Sequence, residues 1–253
     1  MSSLLVAFIV LVCMLGGLLL GFRFRSRLPL FHLKGDSKDV MITATGMLAT
    51  LVALIIGLLL SSAKDSYDEA SAGLTEMGAK AITLDYVLSL YGAETKSVRD
   101  NIRIGIASGM ERIWHSHSLQ QLDLLMSDKS NGMANVYRNI HELSPQNDSQ
   151  KNLKTEALEL SKDLLQSRWM LVEQTQEKLP AAFLVVLIFW LTVLFVHFGL
   201  MGPPNRTTVS ALTICALSLS SAIFFILELN NPLEGPIKVP SAPLEKALAI
   251  IGK

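Results

Sequence analysis

Cysteine is nearly absent, with two residues in 253, Cys13 and Cys215, both inside apolar stretches. That spacing supports neither a disulfide framework nor a Cys-x-x-Cys metal site, and both read as small packing residues. Excess charge is missing too: Lys+Arg and Asp+Glu number 22 each, so no basic surface points to nucleic acid. The chain has no Gly-rich phosphate loop, no Gly-x-Ser-x-Gly elbow and no His-Glu-x-x-His. The one local histidine cluster, Trp114-His115-Ser116-His117, lacks the further spaced ligands of a zinc site. These absences point away from an enzyme, from a metal and from any other cofactor. Alternating apolar and polar residues of the kind that make strands are missing as well.

What is present is length of hydrocarbon. Apolar runs span roughly 3–22, 40–60, 181–200 and 208–229, each about 20 residues, the length that carries a helix across roughly 30 Å of lipid. The first run has no basic residue before it and no Ala-x-Ala site after it, and reads as a retained helix rather than a signal peptide. The pattern predicts an all-α integral membrane protein. Four transmembrane helices frame a long helical stalk and cap inserted between the second and third. The domains are expected at 1–60 (helices one and two with a short basic loop), 61–180 (extramembrane stalk and cap), 181–229 (helices three and four) and 230–253 (a Pro-rich tail with a short interfacial helix).

The loop after run one carries Arg23, Arg25, Arg27, Lys34 and Lys38 against Asp36 and Asp39. The positive-inside rule places it in the cytoplasm and the stalk outside. Residues 61–180 hold 17 acidic and 13 basic residues, a net charge of −4, which suits a solvated domain.

The helical pattern runs past the membrane without a linker. Tyr67, Ala70, Leu74, Met77, Ala81, Leu84, Leu88 and Tyr91 recur at alternating steps of three and four, an a/d seam, and Gly92 is a stop signal. Leu153, Ala157, Leu160, Leu164 and Leu171 mark a second polar helix leading into run three, with Asp148 or Ser149 as its cap. Together they predict an antiparallel stalk. Val98, Ile102, Ile106, Met110 and Ile113 mark one cap helix, and Met133, Val136, Tyr137, Ile140 and Leu143 another.

Within run two, Thr43, Gly46, Thr50, Ala53 and Gly57 form a small-residue stripe nearly in phase with that seam. Small residues mark close helix approach in lipid. The stripe therefore packs within the chain, or forms a subunit interface or pathway wall. Run four is the most polar span, with Ser210, Thr213, Ser218, Ser220 and Ser221. Such hydroxyls bond back into helices or, with Ser218 and Ser221 foremost, line a hydrophilic path. Glu228 at its outer end is a carboxylate at membrane depth and needs a partner, for which Lys64 and Lys178 lie level. His197, near the inner end of run three, is a membrane thickness away and reads as interfacial. In the tail, prolines at 232, 236 and 240 exclude a regular helix. Ser241 then caps a last helix whose Leu244, Leu248 and Ile251 share a face suited to the membrane surface.

The stretches Thr45–Leu59, Ser62–Asp68, Leu74-Thr75-Glu76-Met77, Leu84-Asp85, Leu90–Glu94, Glu228–Gly235 and Ser241–Leu244 resemble the bestrophin-like family of bacterial four-helix membrane proteins. The resemblance implies four membrane helices with a helical insert after the second, and a relation to pentameric anion channels. Neither the acidic calcium cluster nor the aromatic second-helix neck of bestrophins is present. Two functions follow as expectations. One is a homo-oligomer in the lipid bilayer forming a small-ion, notably anion, pathway. The other is a membrane-anchored scaffold or sensor that binds a protein partner through its stalk.

Overall fold

The computed structural model describes residues 2–27, 36–115, 133–176, 181–233 and 235–252. The described residues are helical without strands: α1 (Ser3–Arg25), α2 (Asp36–Tyr91), a 3-10 turn (Ala93–Thr95), α3 (Lys96–His115), α4 (Met133–Glu142), α5 (Asp148–Gln176), α6 (Ala181–Met201), α7 (Arg206–Leu229) and α8 (Ala242–Ile250). Four of them, α1, α2, α6 and α7, are long and apolar enough to cross a membrane. The chain divides into two compact units, Met1–Asp65 with Lys178–Asn231, and Ser66–Glu177 with Pro232–Lys253. The four segments expected from sequence thus combine pairwise, and the tail joins the second unit.

In the first unit α1 packs along α6 and α7. Val10, Met14, Leu18, Leu187, Leu191, Phe195 and Ile223 form its core, and Val52 is the buried contribution of α2. The tightest crossing is built on glycine. A β-carbon on Gly17 would lie 2.8 Å from Thr192 O, and one on Gly21 would lie 2.8 Å from Gly199 Cα. Lipid supplies no hydrophobic drive between helices, so such backbone-to-backbone packing is a main source of their association. The signal for it is Gly17-x-x-x-Gly21, on the first helix rather than the second. Where α6 ends, Arg25 Nη1 donates to Met201 O at 3.0 Å and to Gly202 O. A cation there satisfies orphan carbonyls and complements the helix dipole.

In the second unit α2 and α5 run antiparallel. A β-carbon at Gly73 would sit 3.9 Å from Leu171 Cδ1, Lys80 Nζ donates to Ser167 Oγ at 3.1 Å, and Gln150 Nε2 donates to Tyr91 O at 3.0 Å. As the position on α2 rises, its α5 partner falls. Between them Ala70, Leu74, Ala81, Leu84 and Leu88 meet Ala157, Leu164 and Leu171, and α3 and α4 close the core with Val98, Ile102, Val136 and Ile140. Gly92 ends α2 at φ 142°, in a region that L side chains rarely adopt. Thr95 Oγ1 then donates to Leu88 O at 2.6 Å and to Gly92 O at 2.8 Å, pinning the turn. Asn147, rather than Asp148 or Ser149, caps α5, its Oδ1 accepting from Gln150 N at 2.8 Å. Continuity of α5 into α6 falls on 177–180, outside the described residues, as do Ser116 and His117.

The tail corrects an expectation. Leu233, Val239, Leu244, Ala247 and Ile251 are buried in the core of the second unit, so the apolar face of α8 is used inside the protein rather than offered to a membrane surface. Trp114 Nε1 donates to Val239 O at 3.0 Å and Tyr67 OH to Lys238 O at 3.4 Å. Apolar side chains that would otherwise face water near a ready core are stabilised by joining it. Ser241 makes no capping bond to the helix backbone; its hydroxyl donates to Glu245 Oε1 instead.

Candidate functional site

The candidates from α2 lie on the outside of the first unit. Thr43, Gly46, Thr50, Ala53 and Gly57 are all exposed, whereas the packing side of this segment is Leu48, Val52, Ile55, Ile56 and Leu59. A β-carbon on Gly46 or Gly57 would meet nothing within 4 Å. Packing of the stripe within the chain is thereby excluded for the described residues. The expected phase match with the Tyr67–Tyr91 seam fails as well. In the second unit Ala70, Leu74, Ala81, Leu84, Leu88 and Tyr91 are buried, and Tyr67 and Met77 pack against them half-buried. A three-four alternation averages 3.5 residues per turn and drifts about 20° per heptad against a straight helix, so equal spacing over 40 residues does not keep one face.

The stripe hydroxyls are turned inward along their own helix. Thr43 Oγ1 donates to Asp39 O at 2.9 Å and Thr50 Oγ1 to Gly46 O at 2.9 Å. On α7, Thr213 Oγ1 donates to Val209 O at 2.8 Å, Ser218 Oγ to Ile214 O at 2.9 Å and Ser221 Oγ to Ser218 O at 2.8 Å. Ser218 and Ser221 are exposed. Ser220 behaves differently: it is buried, and its Oγ donates to Ala7 O of α1 at 2.6 Å.

Glu228 sits at the end of α7, only 4% exposed, beside buried Ile226, Leu227 and Leu229. Its Oε2 accepts no hydrogen bond, from Lys64 or any other described residue, and Lys178 lies outside the described residues. Oε2 is the one orphaned carboxylate oxygen among the buried described side chains. The structure therefore separates the pathway candidates. The α2 stripe, Ser218 and Ser221 face out, while Glu228 faces in.

An open cleft of about 660 Å³ lies in the same unit, walled by Thr45, Gly46 and Ala49 of α2, His197 and Met201 of α6, and Thr208 of α7. It borders the stripe at Gly46. His197 is only half-buried there and packs edge-on to Phe198, ring centroids 6.4 Å apart.

Two polar features of the second unit depend on tertiary contacts: the pairing of Asp85 with Arg99 left no sequence signal, and Tyr91 carried only that of a seam residue. Asp85, 5% exposed, takes a bidentate pair from Arg99, Nε to Oδ1 at 2.7 Å and Nη2 to Oδ2 at 2.9 Å, and also accepts from Gly252 N at 3.2 Å. The hydrogen bond with Asp85 pushes the Arg99 guanidinium above its ordinary range despite partial burial. Tyr91 is 2% exposed and its hydroxyl has no hydrogen-bond partner among the described residues; burial first, and Glu94 second, push that phenol up. No group of three or more His, Cys, Asp or Glu able to hold a metal occurs among the described residues.

A family model described as the bestrophin-like domain matches residues 7–244, and the chain belongs to that family. No curated protein and no solved structure matches it.

Proposed function

We propose that this member of the bestrophin-like family is an oligomeric membrane protein whose copies meet along the α2 stripe and together form a small-ion pathway. One observation carries the reading. The glycines of the α1–α6 crossing are filled by neighbouring backbone, whereas Gly46 and Gly57 stand open on an exposed face. Small residues without an internal partner, on a helix surrounded by lipid, favour close approach of another helix. The exposed hydroxyls of Ser218 and Ser221 and the buried Glu228 are the polar groups of α7 that we assign to such a path.

Anions are the cargo that the family relation suggests. The stripe hydroxyls spend their protons on helix carbonyls and turn lone pairs outward, which suits water or cations better. Selectivity is accordingly the first quantity to measure. The basic loop around Arg23, Arg25 and Arg27 supports a cytoplasmic loop and an extracytoplasmic second unit in a bacterial inner membrane.

Purified full-length protein in a mild detergent should run as a multiple of the monomer mass. In liposomes it should pass small ions, and Gly57→Leu or Thr50→Leu should change that flux at least several-fold while leaving the fold intact. Glu228→Gln keeps shape, removes the acid and should shift selectivity. An intact oligomer with no flux under any voltage, pH or osmotic condition overturns the pathway and leaves the scaffold. That second reading is favoured by a second unit with a core of its own. Deleting the cap would not test it, because Val98, Ile102, Val136 and Ile140 belong to that core.

A further inference from the structure

On α2, within the second unit, a strip without charge faces outward. Ala72, Thr75, Ala79, Thr83, Tyr86 and Leu90 are all exposed, Tyr86 at 61% and Leu90 at 55%. At 100° per residue they lie within about 40° of one line along the helix. Both threonine hydroxyls are satisfied internally, Thr75 Oγ1 donating to Ser71 O at 3.0 Å and Thr83 Oγ1 to Ala79 O at 3.1 Å. The strip thus presents methyl groups, a tyrosine ring and a leucine. Charged side chains such as Glu76 and Lys80, which pair at 2.7 Å, are held to its flank.

A complementary shape lies on the neighbouring helix. Trp169 and Met170 of α5 are 52% and 53% exposed. The antiparallel register fixes their level. Gly73 lies opposite Leu171 and Lys80 opposite Ser167, so Trp169 and Met170 stand beside the stretch from Ala72 to Ala79. Large side chains on one helix and small ones on the next occupy the same level but are not used by each other.

From this we infer that the small-residue end of the α2 strip of one copy receives Trp169 and Met170 of a neighbouring copy. The inference rests on the assembly proposed above and specifies which surfaces join. The area argues for a second copy over a soluble partner. A strip about 27 Å long and 10 Å wide offers about 270 Å², a third of the roughly 800 Å² per side that a specific soluble complex needs. A copy anchored in the same bilayer needs less, because shared tethering raises its effective concentration. Identical copies also bring the knob and its recess at matching levels. The contact joins two different patches, so it is heterologous, the type that forms a ring where the rotation between copies closes.

The test uses two full-length chains with different tags in a background of Cys13→Ala and Cys215→Ala, one bearing Ala79→Cys and the other Met170→Cys. After co-expression, mild oxidation should give mixed-tag dimers at least tenfold above same-tag dimers. Trp169→Ala, at an exposed position, should raise the concentration below which the assembly dissociates on dilution by about tenfold. Dominant same-tag Ala79→Cys dimers would mean that α2 meets α2 and would overturn the inference. So would free reaction of Ala79→Cys with a water-soluble maleimide in the assembled protein, which leaves the strip open to another partner. Loss of cross-linking with the native mass still a multiple sinks the docking and spares the assembly. A native mass of one chain sinks both.

Discussion

Gly21 and Gly199 meet with no side chain between them: a β-carbon on Gly21 would lie 2.8 Å from Gly199 Cα, and one on Gly199 would lie 2.9 Å from Gly21 Cα. Carbonyls crowd the same spot, Val196 O against Gly21 and Leu18 O against Gly199. Backbone cannot swing aside as a flexible side chain can. Gly21→Ala and Gly199→Ala should each cost about 1–3 kcal/mol, the usual range for overpacking, whereas Gly16→Ala, with nothing within 4 Å, should cost none. Thermal unfolding in detergent decides this, and equal melting temperatures for all three variants would refute the crossing.

Ser220 should stand apart from its neighbours. Its hydroxyl bridges to Ala7 O of α1, while those of Ser218 and Ser221 stay within α7. Ser220→Ala should destabilise by about 0.6–2 kcal/mol, the range of interhelical hydrogen bonds in membranes, and Ser218→Ala and Ser221→Ala by less. The same unfolding measurement checks it, and the reverse order would be fatal.

Tyr91 gives a pH prediction with a definite sign. Its folded-state phenol is raised above the ordinary 10.0 by burial. Its contribution is therefore fully present below pH about 10 and is lost as pH rises through the folded value. Tyr91→Phe should flatten the alkaline loss of stability. At neutral pH it should be harmless or stabilising by about 1 kcal/mol, because the buried hydroxyl it removes has no partner. A variant clearly less stable at pH 7 would show that the hydroxyl is bonded after all.

The Asp85–Arg99 pair should fail asymmetrically. Arg99→Met strands a buried carboxylate that keeps only the Gly252 N–H, and removing one partner of a buried pair costs about 3–5 kcal/mol. Replacing both, Asp85→Leu with Arg99→Met, should recover part of that loss. Denaturant unfolding of the two variants gives the comparison, and a double variant no better than Arg99→Met alone would contradict it.

The last helix can be assigned by substitution. Leu244→Ala empties a core position and should cost about 2–5 kcal/mol. Ile250→Ala, at a residue 51% exposed, should be near neutral. If α8 lay on lipid instead, the two would be alike, and vesicle binding rather than unfolding would respond.

Much of this protein was legible because membranes and helices impose strict periods. The four spans needed only length and hydropathy, and the Tyr67–Tyr91 and Leu153–Leu171 patterns named residues that the second unit buries, such as Leu74, Leu84, Ala157 and Leu164. The site was less legible. The stripe on α2 was readable as small residues, yet spacing alone could not say whether those residues were covered. Gly17-x-x-x-Gly21 carried a signal that matched the tightest crossing. The pairing of Asp85 with Arg99, 14 positions apart across a glycine turn, carried none.

By itself the sequence determined the local facts: helix, span, stop at Gly92, and family. Each depends on neighbours within a few turns or on the solvent a segment requires. Only the tertiary structure decided which face of α2 stays open, that Glu228 is enclosed with Oε2 unpaired, and that the tail fills the core of the second unit rather than meeting lipid. Those outcomes turn on competition between distant segments for the same apolar surface, and that competition leaves no period along the chain.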